Sequence, residues 1–90
     1  MALKIGLITQ TRQAEAMRMA LGLLLLGDEA EVFFPQCLPA QDEMAVIQRK
    51  NALEMEVPLH FDHPQAPEEL RLSPEAFTEA LLQFDRLIPL

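Results

Sequence analysis

The side chains able to do chemistry in this 90-residue chain collect in three short stretches. "FFPQCLP", residues 33–39, holds the only cysteine, Cys37, set between Pro35 and Pro39. A thiol carries sulfur or exchanges electrons through its thiolate, so such a role demands a lowered pKa. "HFDH" supplies two imidazoles and a carboxylate, His60, Asp62 and His63, donor types suited to a metal or to acid–base work. "TQTR" places Thr9, Gln10, Thr11 and Arg12 ahead of a helix, where unpaired amides and the positive end of the dipole favour an anion.

Each stretch also has a structural account. Cys37 is either a working thiol or a small apolar residue ending a strand. Arg12 and the start of a helix near Asp42 would lower its pKa, whereas Asp42 and Glu43 would raise it if they approached the sulfur. Thr11 is expected to cap the helix that follows, its hydroxyl accepting from an orphan amide. Strand alternation sends His60 and Asp62 to one side and leaves His63 in a proline-bounded loop. That spacing matches no metal-ligand motif, so no metal is expected and His60 is expected to be satisfied locally. Met17, Met19, Met44 and Met55 fall at helical positions and are assigned to core or interface. No glycine separates Gly6 from Gly22, which leaves neither a dinucleotide fingerprint nor a phosphate loop, and no cofactor is expected.

The elements that must position these residues follow from hydropathy and from capping. "LKIGLIT", residues 3–9, is apolar without alternation after Lys4, the pattern of a strand covered on both faces. A helix runs from Arg12 to Leu26, with Gly27 as the left-handed residue beyond its end. "AEVFF" is the second strand, ending at Pro35. This strand–helix–strand unit implies a right-handed crossover and parallel pairing. "AQDEMAVIQRKNALEME" is a second helix, and "VPLHF" is a third strand in which Pro58, lacking a donor, belongs at the beginning. "SPEAFTEALLQF" opens with Ser73 as N-cap and Pro74 at the first helical position, and aligns Phe77, Leu81 and Phe84. "RLIPL" closes as a short strand whose Pro89 suits an edge. The whole is expected to be one α/β domain over residues 1–90, a parallel sheet of order 2-1-3-4 with helices on both faces. In that order the C-terminal strand ends would gather the three chemical stretches at one edge, where open α/β sheets bind ligands.

Composition limits the partners. A net charge of -7, from seven Lys and Arg against fourteen Asp and Glu, offers no footprint for nucleic acid or an anionic membrane. No secretory signal and no apolar run long enough to span a bilayer stands out, and a lone thiol suits a reducing compartment, so a cytoplasmic setting is expected. A chain this short buries only about 60–65% of its unfolded surface. One cysteine excludes an internal disulfide. Self-association is therefore the expected support, through the helix 12–26, whose Met19 and Leu23 lie off the stripe of Met17, Leu21, Leu24 and Leu25.

The opening "KIGLITQTRQAEAMRMALGLLLLGDEAEVFF" resembles the DsrE/DsrF/DsrH-like proteins, which include the TusBCD sulfur-relay subunits: an apolar strand, an alanine- and leucine-rich helix, a Gly-acidic turn, then "VFF". The resemblance covers the first third, and beyond it only the order of elements. It implies a flavodoxin-like sheet, assembly into homo- or hetero-oligomers of related subunits, and a role connected with intracellular sulfur transfer. The family's sulfur-carrying members hold a cysteine after the third strand, where this chain reads "HFDHPQAPEEL" without one. Cys37 follows the second strand instead, and short DsrH-type members can lack the relay cysteine. The alternative is a ligand-binding or regulatory domain that uses the strand-end edge.

Overall fold

The structure is a computed structural model and describes residues 2–90. Its elements are β1 (Lys4–Ile8), α1 (Gln13–Leu25), β2 (Glu29–Phe34), α2 (Glu43–Glu54), β3 (Leu59–Phe61), a 3₁₀ turn (Glu68–Leu70), α3 (Pro74–Leu81) and β4 (Arg86–Pro89). Local chemistry explains most of these limits. Asp42 caps α2 by accepting from the Ala45 amide at 3.1 Å, and Ser73 caps α3 through the Ala76 amide at 3.1 Å, with Pro74 at the helix start. Gly27 takes φ 90° beyond α1, the left-handed conformation that glycine adopts without a Cβ penalty.

The start of α1 departs from expectation. Arg12, not Thr11, occupies the N-cap position, and no side chain caps it there. Thr9 instead accepts from the Arg12 amide at 3.0 Å, three residues back. Thr9 is buried, so its hydroxyl needs an internal partner, whereas exposed Thr11 has water.

All four strands are parallel, but their order is β3-β2-β1-β4, not 2-1-3-4. β3 pairs with β2 and β4 pairs with β1. Proline gives the physical reason. Pro58 immediately precedes β3, which the expected order would have put inside the sheet, and a strand short of a ladder donor is tolerated at an edge; Pro89 lies in β4, an edge strand in either order. β2 has no proline and buries Ala30, Val32, Phe33 and Phe34, as an interior strand does.

Both faces are covered. Ile5, Leu7, Val32, Phe34, Leu59 and Phe61 face α1 and α2, meeting Ala16, Met17, Ala20 and Ala52. Phe34 and Phe61 stack there with ring centroids 4.4 Å apart. On the opposite face Phe33 receives the edges of Phe77, at 5.2 Å, and Phe84, at 5.3 Å. Gly6 lies beneath that cluster: a Cβ there would come within 2.8 Å of Leu87 and 3.3 Å of Phe84. Among the described residues no helix is long and apolar enough to cross a membrane.

Candidate functional site

Strand order decides which residues meet. The chain reverses direction across the sheet between β1 and β4, so that crevice is flanked by Thr9 and Gln10 and by Leu90, whose amide donates to the Ile8 carbonyl at 2.9 Å. β2 separates β3 from β1, and the His60 region therefore stands at the far side of the sheet from the reversal. The three chemical stretches share an end of the sheet, where Gln10 and Asp62 each bond to the loop that bears Cys37, while His60 and His63 turn to other partners.

His60 sits in mid-strand on the α3 face. Its Nε2 lies 2.7 Å from Glu31 Oε1, and its ring packs 4.7 Å from that of Phe33. Asp62 accepts from the backbone amide of Gln36, a residue held at φ 54°. His63 Nδ1 accepts from the Gln65 amide at 3.0 Å. Each of the three is thus held by a separate partner. No group of three or more His, Cys, Asp or Glu among the described residues is arranged to hold a metal ion.

Cys37 is half-buried on the loop after β2. Burial pushes its thiol above the ordinary value, a hydrogen bond from Gln13 Nε2 at 3.5 Å opposes this, and the Asp62 charge adds to the rise. Arg12 does not activate it: its guanidinium is engaged with Glu15, which its hydrogen bond holds below the usual carboxylate range. Nor is the α2 N-terminus free, because Asp42 caps it.

The organising residue is Gln13, which the sequence reading passed over. Buried at the start of α1, it donates to the Gln10 carbonyl at 3.2 Å and the Leu38 carbonyl at 3.0 Å, and accepts from the Ala40 amide at 2.9 Å. Gln10 adds a bond from Nε2 to the Pro35 carbonyl at 2.9 Å. Arg49 reaches up from α2 to the Ala40 carbonyl at 2.9 Å. The loop 35–41 is consequently tied to β1, α1, α2 and Asp62. The available signal was Gln13 itself, a polar residue at the head of the buried stripe Ala16, Met17 and Ala20.

One concavity adjoins a residue picked out by the sequence. Asp62, Pro64, Arg71, Leu72, Ser73 and Pro74 line an open cavity of about 520 Å³ beyond β3. Arg71 crosses it to donate to the carbonyls of Pro64, at 2.7 Å, and Ala66, at 3.3 Å. Its guanidinium is the one cationic group there. Comparison of the chain with protein-family models, with curated proteins and with solved structures finds no match.

Proposed function

We propose that this chain is a non-catalytic subunit of an oligomer connected with intracellular sulfur transfer, of the kind its first third resembles, in which Cys37 carries no sulfur. The observation behind this reading is the use made of polar side chains at the strand ends. Gln10, Gln13, Arg49 and Asp62 all hold the loop that bears Cys37, and the thiol there is raised rather than activated. Such a loop presents a shape to a partner more readily than a nucleophile to a substrate. Incubation with a persulfide donor, followed by intact-mass measurement, is expected to leave Cys37 unmodified, while native mass spectrometry finds the chain in a complex. A persulfide on Cys37 would make it a carrier and reverse the assignment.

A ligand-binding role is the second reading, favoured by the cavity between Asp62 and Arg71. A small anion that raises the melting temperature of the unmodified protein, but not of Arg71→Gln, would support it over the first.

A further inference from the structure

We infer that the end of the molecule opposite the strand-end edge is a docking surface for a cationic amphipathic segment of a partner protein. In a parallel sheet with helical crossovers, every strand starts and every helix finishes at the same end. Here that end is apolar. Leu25 and Leu26 close α1 at 81% and 79% exposure, Leu82 follows α3 at 76%, and Met55 follows α2 at 51%. Leu3, exposed before β1, is tied to the α1–β2 turn through its amide and Asp28 at 3.0 Å.

Its electrostatics are equally one-sided. Asp28, Glu29, Glu54, Glu56 and Asp85 lie at this end, against Lys4 and Arg86. Lys4 is directed over the Phe84 ring, 5.0 Å from its centroid. None of α1, α2 and α3 has a basic residue in its last turn, so three negative dipole ends add to the carboxylates. At the opposite end the acidic residues Glu15, Glu43 and Glu75 stand in first turns, where the positive dipole ends offset them. A cavity of about 240 Å³ opens beside Leu24 and Pro58, bordered by Glu29 and Glu56 and by Glu31, whose carboxylate is already engaged with His60. Apolar walls below carboxylates suit the stem and head of a lysine or arginine side chain.

Charge selects the occupant. A second copy would set two acidic ends against each other, whereas a helical segment with leucine-like residues on one face and lysine-like residues on the other meets both the exposed leucines that close α1 and their acidic border. This inference rests on the assembly reading only in that a subunit needs a partner, and it does not involve Cys37.

The test uses the full chain and a dye-labelled helical Leu/Lys peptide, followed by fluorescence anisotropy. Saturable one-to-one binding is expected, weakening as salt rises because exposed charges are screened. Two exposed double variants, Leu25→Gln with Leu26→Gln and Glu54→Gln with Glu56→Gln, should each weaken binding by about tenfold or more without lowering the melting temperature. Glu68→Gln with Glu69→Gln, beyond the other end of the sheet, should not weaken it. Equal loss in that control would reduce the attraction to net charge and overturn the proposal. Equal binding of a Leu/Glu peptide would overturn it too. So would an unmodified protein whose oligomer falls to a monomer in the Leu25→Gln, Leu26→Gln variant, since the patch would then belong to a second copy. Sulfur found on Cys37 would instead sink the non-carrier reading and leave this one standing.

Discussion

Gln13 illustrates why a buried polar residue outweighs several exposed ones. Its amide satisfies two carbonyls and one amide of other segments, so truncation strands groups that water cannot reach. Gln13→Ala should cost about 2–3 kcal/mol, read as a lower melting temperature and faster proteolysis of the loop 35–41. Thr11, favoured on sequence as the cap, should by contrast tolerate alanine. Cys37 offers a test by pH. Its folded thiol titrates above the unfolded one, so between the two values the native state holds the extra proton and stability falls as pH rises. The contribution is complete below about 8.5, the unperturbed value, and is lost as pH climbs through the folded pKa. Alkylation of the folded protein should accelerate only above that ordinary value. A rate already maximal at neutral pH would contradict the burial argument. Sequence identified Cys37, Asp62 and His60 as residues with possible roles but not their partners, because partnership depends on which loops lie side by side.

Capping residues and hydropathy located the three α-helices and four strands to within about three residues, since those signals act within one turn or one strand, but gave Thr11 as the α1 cap and gave no sign of the 3₁₀ turn Glu68–Leu70. Strand order was different. The sheet 2-1-3-4 and the sheet 3-2-1-4 share the same local pattern, and only Pro58, beside a strand that is interior in the first and at an edge in the second, separates them; Pro89 lies in an edge strand in both. The observed order places α1 and α2 together on one face and leaves the eight residues of α3 to cover the other. Phe33 is therefore the anchor of that second layer. Phe33→Ala should cost about 3–5 kcal/mol and release α3 first, seen as early loss of hydrogen-exchange protection in residues 74–81. Gly6→Ala should cost less, about 1 kcal/mol, because the 2.8 Å approach is to the end of the Leu87 side chain, which is itself partly exposed and able to turn aside.

At the scale of the whole molecule, the amphipathic pattern of α1 predicts self-association through Met19 and Leu23. The two are unequal in the structure: Met19 is 40% exposed, while Leu23 packs partly against the core. Leu23→Glu would thus damage the fold as well as any interface. Met19→Glu is the cleaner probe, expected to dissociate an oligomer at unchanged melting temperature, and a monomeric unmodified protein by light scattering would remove the basis for that interface. The pairing of β1 has a further consequence, one of timing. β1 is an interior strand made before every other described element, yet its neighbour β4 lies more than eighty residues later, with the Lys4 amide donating to Asp85 across a separation of 81 positions. Until residues 84–89 leave the ribosome, one side of β1 has no partner, and Gly6 lacks the cover of Phe84 and Leu87. The nascent chain can close the α1 layer early but must hold an open, apolar strand edge until β4 emerges. Chaperone protection of the nascent chain is accordingly needed until β4 is available, and a chain truncated ahead of Asp85 should be protease-sensitive and aggregation-prone where one that includes β4 is not.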